Sequence, residues 1–410
     1  MALALARRLL MVLLLAGTRV AAPPPPQVSP SEPTVVGITA IYNFGDSISD
    51  TGNLLREGDT GMLRYTTVLP YGVTIGRPTG RCSDGFLMID FLAKDLGLPL
   101  LNPYLDRRAD FTHGINFAVA GATALSTTAL ASRGVTVPHT NSSLGVQLGW
   151  FKEFMSSTTN SPREIRKKLA SSLVMLGEIG GNDYNYVFLQ PRRTNGRYES
   201  YDPISNATRS AESLAHALSL VPEVVRSIAD AAREVLDMGA TRMVIPGNFP
   251  IGCMPSYLSA ATASSPASLH DGDGCLVSFN LLARAHNERL RRAIGELRRS
   301  YPDATVAYAD YFAAYLEILR DAPRLGFEDG AALRRACCGA GGGEYNFDSN
   351  RLCGAPGTTV CAHPSGRPSW DGIHLTQHGY CVMTELLYRR GLACPLAVKL
   401  PRQKACPPVS

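Results

Sequence analysis

Short apolar runs alternate along the chain with long segments of helical spacing, and each run is cut off by glycine or a polar turn. Ile38 to Phe44 ends in Gly45-Asp46-Ser47, Ile115 to Ala120 at Gly121, and Ser172 to Leu176 at Gly177, just before Gly180-Gly181-Asn182-Asp183. Arg242 to Ile245 ends in Pro246-Gly247, and Thr305 to Ala309 in Asp310. Runs of this kind bounded by turn residues read as buried strands. Between them, apolar positions recur at helical spacing over Phe86 to Leu96, which Gly97 closes, over Ala211 to Met238 and over Cys275 to Arg299, with a last such segment from Thr376 to Arg390. Strand and crossover helix in alternation require a parallel sheet covered on both faces. The expectation is an α/β fold, a three-layer α/β/α sandwich with a five-stranded parallel sheet, built as one domain over residues 35–400. The stretch from Asp321 to Trp370 breaks the pattern: seven glycines between Gly326 and Gly354 and four cysteines predict an irregular loop held by disulfides.

The two chain ends read differently. Arg7 and Arg8 precede the apolar run Leu9 to Ala16, and Val20-Ala21-Ala22 offers small residues for cleavage, so residues 1–22 are expected to be a signal peptide. The run is shorter than the ~20 apolar residues that cross a bilayer, and no later segment qualifies, so stable membrane insertion is not expected. Residues 23–34 form a proline-rich spacer and residues 401–410 a C-terminal tail. Loss of the leader removes Arg7, Arg8 and Arg19 and lowers the formal charge from +5 to +2, which gives no footprint for nucleic acid. Ten cysteines suit an oxidising compartment, and their even number permits complete pairing; adjacent Cys337 and Cys338 are expected to bond to different partners. Asn141-Ser142-Ser143 and Asn206-Ala207-Thr208 are glycosylation sequons for a secreted, extracellular or cell-wall protein, or one retained in the secretory pathway.

Four groups fall at predicted strand or helix ends: Ser47, Gly121, Asn182, and the segment Trp370-Asp371-Gly372-Ile373-His374 before the last helix. Ligands bind open α/β sheets beyond the carboxyl ends of the strands, so a serine delivered there is a candidate nucleophile. A serine hydroxyl needs a base within hydrogen-bond reach and a third group to orient that base. His374 supplies a base, and Asp371, three residues earlier, supplies an orienting carboxylate. The oxyanion of a tetrahedral intermediate needs donors, for which the Ser47 and Gly121 N–H groups and the Asn182 amide are candidates. Taken singly, each has a plain structural alternative. Gly-Asp-Ser is ordinary turn composition, Asn182 suits an Asx-turn, Gly121 a tight turn, and His374 a helix start. Asp183 and Asp310 also end strand-like runs and are rivals for the acid, which proximity to His374 assigns to Asp371.

These blocks together resemble the plant-type GDSL esterase/lipase family of the SGNH hydrolase superfamily. The likeness rests on Gly45-Asp46-Ser47 with Asp50-Thr51-Gly52-Asn53, on Asn116-Phe117-Ala118 through Gly121, on Gly181-Asn182-Asp183 and on Asp371-Gly372-Ile373-His374. Pro70-Tyr71-Gly72, Arg77 to Gly85 and Cys337-Cys338-Gly339 also resemble plant members, so the likeness extends over nearly the whole mature chain. It implies a flavodoxin-like sheet and a carboxylic ester hydrolase that needs no cofactor or metal. Ser47 is then nucleophile and one oxyanion donor, Gly121 and Asn182 are the other donors, and Asp371 and His374 complete the triad. Ile48 replaces the usual leucine, and His374-Leu375-Thr376 replaces the common His-Pro-Thr; neither change touches a reacting group. The second resembles a plant subgroup acting on acetyl esters, which implies an acetylated polysaccharide such as xylan, or an acetylated plant metabolite, as substrate.

Other assignments fit less well. Gly-x-Ser-x-Gly is absent, and its nearest approach, Arg81-Cys82-Ser83-Asp84-Gly85, lacks the first glycine, so Ser83 is read as structural. His374 and His378 have metal-ligand spacing, but no His-Glu-x-x-His accompanies them, and His378 is expected to pack. Gly339 to Gly343 lacks the ending of a phosphate loop. A lipase lacks an obvious amphipathic lid here, and a glycan-binding wall protein would not need the intact Ser, Gly, Asn, Asp and His set.

Overall fold

The computed structural model describes residues 37–58, 61–188, 193–194, 197–198, 207–260, 269–340, 342–395 and Cys406. The expected leader, the spacer and the sequon residue Asn206 lie outside them. Five strands form the parallel body of the sheet: β1 (Ala40–Phe44), β2 (Gly114–Asn116), β3 (Ser172–Leu176), β4 (Arg242–Pro246) and β5 (Thr305–Ala309). A sixth, β6 (Ala393–Cys394), runs antiparallel on the edge of β5, pairing Ala393 with Ala309 and Cys394 with Tyr308. The order across the sheet is β6-β5-β4-β3-β1-β2. The chain leaves β1 toward β2 on one side and then returns to β3 on the other, so β1 is the switch strand beyond whose tip a crevice opens.

Every residue of β1 and β3 is buried, and alternate side chains enter opposite layers. Tyr42 and Phe44 face one core with Phe151 of α2 (Leu144–Thr158); the same layer includes α3 (Gly181–Phe188), α4 (Ala207–Asp237) and much of α5 (Val277–Ser300). Ile41 and Leu173 face the other core, with α1 (Met88–Asp95), α6 (Tyr311–Arg320) and α7 (Gln377–Tyr388). Three layers result, as the alternating pattern requires.

Besides the antiparallel sixth strand, which the five-stranded expectation lacked, two features depart from the sequence pattern. The apolar run from Ile115 to Ala120 is a regular strand only as far as Asn116; beyond it Phe117 and Val119 N–H still donate to the Asn43 and Gly45 carbonyls at 2.7 and 3.2 Å, and side chains serve the backbone groups between them. Asn53 Nδ2 donates to the carbonyls of Asn116 and Ala118, each at 2.8 Å, and Asp50 Oδ2 accepts from Ala120 N–H at 2.8 Å. Pairing of the ten cysteines is also incomplete. Disulfides join Cys253 to Cys275, Cys337 to Cys361, Cys338 to Cys353 and Cys381 to Cys406, while Cys82 and Cys394 stay as thiols. Cys82 is sealed in the interior and Cys394 is exposed on the edge strand. The adjacent Cys337 and Cys338 bond to different partners and pin the irregular loop twice. Cys406 ties the C-terminal tail to α7.

One buried ion pair fastens the segment between β1 and β2. Arg81 Nε and Nη2 reach Asp90 Oδ2 and Oδ1 at 2.8 and 2.7 Å, and Asp90 Oδ2 also accepts from Leu87 N–H at the start of α1. Removing the guanidinium strands a fully buried carboxylate. Arg81→Met is therefore expected to lower unfolding stability by about 3–5 kcal/mol, read from the urea midpoint at constant slope. An unchanged midpoint would show that the pair contributes nothing.

Candidate active site

The β1 tip is shaped by Gly45, whose φ of +147° and close approach to β3 exclude a side chain: a Cβ there would stand 2.8 Å from Ser49 Oγ and 3.0 Å from the Glu178 carbonyl. Gln147 of α2 clamps that glycine from the side, its Oε1 accepting from Gly45 N–H at 2.9 Å and its Nε2 donating to Gly45 O at 2.8 Å. Asp46 N–H donates to the Glu178 carbonyl at 3.1 Å, and a turn closes when Asp50 N–H donates to Asp46 O at 2.9 Å. Ser47 rides on this turn with 8% of its surface exposed.

The loop before α7 brings the partners. His374 Nε2 lies 2.8 Å from Ser47 Oγ, and His374 Nδ1 lies 2.7 Å from Asp371 Oδ2. Asp371 Oδ1 accepts from the backbone N–H groups of Ile373 and His374 at 3.0 and 2.8 Å. Burial opposes charge on both side chains. Each nevertheless favours the ionised form of the other: His374 and its N–H, with Tyr71, hold the Asp371 carboxyl below its ordinary value, and Asp371 with Cys82 raises His374 well above the ordinary histidine value.

The two remaining groups flank Ser47. Gly121 has φ +83°, and a Cβ there would meet His139 Cβ at 2.8 Å and the Tyr186 hydroxyl at 3.0 Å. Tyr186 donates to the Gly121 carbonyl at 2.8 Å and so fixes that peptide. Asn182, in the first turn of α3, donates from Nδ2 to Asp46 Oδ2 at 3.1 Å and to Ala122 O at 3.0 Å. One amide thus ties the turn carrying Ser47 to the loop carrying Gly121. All five residues singled out in the sequence converge at one end of the sheet.

The family description "GDSL-like Lipase/Acylhydrolase" matches residues 41–387, from β1 to α7. The chain belongs to this family. It is 43% identical over 342 residues to an acetylajmalan esterase of Rauvolfia serpentina, covering 83% of this chain and 82% of that protein. To acetylajmalan esterase 1 of the same plant it is 41% identical over 354 residues, covering 86% of each. A GDSL esterase/lipase of Arabidopsis thaliana is 40% identical over 358 residues, covering 86% of this chain and 90% of the relative. The protein is accordingly a plant-type serine esterase, a carboxylic ester hydrolase with the parallel sheet of the SGNH fold.

Within this GDSL esterase the rival acids are occupied elsewhere. Asp310 caps α6 through Ala313 N–H at 3.0 Å and pairs with Arg291 at 2.9 Å. Asp183 accepts from the N–H groups of Ala124 and Leu125 at 2.8 and 2.9 Å. Ser83 Oγ accepts from Gly85 N–H within its own turn. His378 donates to the Leu325 carbonyl at 2.9 Å and packs on Phe327. Among the described residues no cluster of three or more His, Cys, Asp or Glu could hold a metal ion. Asn141 is exposed on the loop before α2.

Sequence reasoning passed over three neighbours of the site. Tyr71 donates to Asp371 Oδ2 at 2.8 Å, Cys82 lies against His374, and Glu178 sits beneath the turn carrying Ser47. Tyr71 and Cys82 stood inside quoted family blocks, but only the folded contact gives either a partner. Burial raises Asp46 to about 7, although the Ile48 N–H and His374 pull it down, and burial with the nearby Asp46 raises Glu178 well above its ordinary value. The floor of the site is therefore acidic in composition, with burial shifting both carboxyls toward their neutral forms.

Burial likewise lifts Asp183 from 3.8 to about 7, against the backbone N–H groups of Leu125, Ala124 and Asp183 itself, which favour its ionised form. A folded carboxyl that ionises later than the unfolded one binds more protons in the native state over that interval. Its stabilising contribution is complete below the unfolded value and is lost as pH rises toward 7. The thermal midpoint is expected to decline between about pH 4 and 7, and Asp183→Asn to flatten part of that decline. Parallel pH profiles of midpoint for the two proteins would refute this.

Proposed function

We propose that the protein hydrolyses short-acyl, chiefly acetyl, esters through an acyl-enzyme. The observation that carries the mechanism is the unbroken hydrogen-bond chain from Ser47 Oγ through both ring nitrogens of His374 to Asp371. Ser47 Oγ attacks the acyl carbon while its proton passes to His374 Nε2, and Asp371 stabilises the imidazolium without taking a proton. His374 then protonates the leaving alcohol. Water, deprotonated by the same ring, releases the acid and restores Ser47.

The oxyanion is bound by the Ser47 and Gly121 N–H groups and by the Asn182 amide. The resting contacts of Asn182 support its part, because Asp46 and Ala122 aim its nitrogen along the rim between Ser47 and Gly121. One of those contacts is shared when charge develops on the substrate oxygen. A donor aimed at an oxyanion is typically worth a factor of about 10²–10³ in rate, more than either resting hydrogen bond contributes to the ground state.

The acyl group is assigned from the relatives, two of which are acetylajmalan esterases at 41–43% identity. The alcohol is then an acetylated plant metabolite or a wall polysaccharide such as xylan. Four disulfides support residence in an oxidising compartment, reached through a leader at residues 1–22 and accompanied by glycans at Asn141 and Asn206.

Ser47→Ala is expected to lower hydrolysis of p-nitrophenyl acetate at least about 10³-fold with the thermal midpoint retained; near-wild-type turnover would reject the nucleophile. Across a panel of acetylated metabolites, acetylated xylan and long-chain triglyceride, purified protein is expected to release acetate and leave the triglyceride intact. Triglyceride cleavage without acetate release would overturn the acyl assignment.

A further inference from the structure

The Pro70-Tyr71-Gly72 block lies directly behind the triad acid. The Tyr71 hydroxyl donates at 2.8 Å to Asp371 Oδ2, the same oxygen that faces His374 Nδ1 at 2.7 Å. Oδ1 already holds two backbone N–H groups. An ionised carboxylate offers about four lone-pair sites, and these four donors fill them.

The phenol is itself held in place from behind. Tyr71 is 4% exposed, its ring meets Trp370 edge-on at 5.9 Å, and it packs with Cys337, Cys338 and Cys353 of the disulfide-pinned loop. That loop is laced to the segment bearing the acid: Cys338 N–H donates to the Trp370 carbonyl at 2.6 Å and Cys337 N–H to the Ser369 carbonyl at 3.0 Å. Tyrosine and carboxylate therefore rest on one wall, cross-linked by the Cys337–Cys361 and Cys338–Cys353 bonds.

We propose that Tyr71 is a positioning residue for this esterase, its hydroxyl fixing the Asp371 carboxylate against His374 and taking up part of the carboxylate charge. The inference rests on Ser47, His374 and Asp371 acting as described above. Without the hydroxyl, negative charge concentrates on Asp371, the imidazolium of His374 is favoured further, and the free base appears only at higher pH. The other titratable groups around the ring stay as they are: Cys82 from the segment before α1, Asp46 and Glu178 from the tips of β1 and β3, Asp50 beyond them, and Tyr380 from α7.

The test compares wild type, Tyr71→Phe and Ser47→Ala on p-nitrophenyl acetate across pH. In Tyr71→Phe the acidic limb of kcat/KM is expected to move up by roughly half a pH unit or more. Plateau kcat should fall about tenfold with KM within about twofold. A limb that coincides with wild type overturns the proposal whatever the plateau, because a ring that merely packs leaves the His374 titration alone. Site-specific 3-fluorotyrosine at position 71 decides the matter if the phenylalanine variant does not fold. A stronger donor draws charge off Asp371, so the limb should move down, and an unmoved limb refutes the role. Turnover surviving in Ser47→Ala would instead remove the underlying triad reading, an outcome distinct from an inert Tyr71.

Discussion

A separation of 2.8 Å between Ser47 Oγ and His374 Nε2 must be kept by residues 327 positions apart, and the architecture answers to that demand. Parallel pairing sets Phe44 beside Leu176 and Asn43 beside Asn116, so the loops leaving β1, β2 and β3 emerge together at one end. No local interaction could align three such loops. The register does so because each strand is buried on both faces, where a slip of one residue would turn every side chain into the wrong layer. The last helix docks on the face opposite α2 and brings the His374 loop across the same end. Asn182 then fastens the three tips with two hydrogen bonds, and Gln147 fastens Gly45 from outside the sheet.

Charge is distributed in the site by partnership as much as by burial. Asp46, Asp50, Asp183, Glu178 and Asp371 are all deeply buried, yet only Asp371 is held below its ordinary value. The difference is that Asp371 has a titratable imidazole against it. Asp50 accepts four backbone N–H groups and is still pushed upward by desolvation. Further ionised carboxylates beside the ring would favour the protonated form of His374 still more. Burial pushes the other four carboxyls upward, while Asp371, hydrogen-bonded to the ring, is the carboxylate that raises His374 most.

Asp371 and His374 were legible because they stand just before the helical spacing of the last helix resumes, and Ser47, Gly121 and Asn182 because each follows a sharp change from apolar run to turn, which marks a buried strand's end. The five parallel strands were legible for the same reason. What escaped depends on contacts that leave no periodic trace. β6 is two residues long, too short for alternation to register. Past Asn116 the chain is held partly by Asn53 and Asp50, more than sixty positions upstream, contacts that leave no mark on the apolar run itself. Cys82 looked like one of an even set, and only its enclosure against His374 shows why it has no disulfide. Tyr71 stood inside a quoted block without a role, since nothing near it in sequence reveals that its hydroxyl meets a carboxylate 300 residues away.

The far end of the sheet carries none of this machinery. There Arg242 donates to the Ala170 carbonyl at 2.9 Å and Thr39 N–H to the Ser171 carbonyl at 2.8 Å, stitching the beginnings of β4 and β1 to the residues just before β3. None of the five residues singled out above lies among the described loops at that pole. A solid support or fusion partner anchored there would leave the crevice facing outward, so for immobilising this enzyme the geometry supplies a handle as well as a working face.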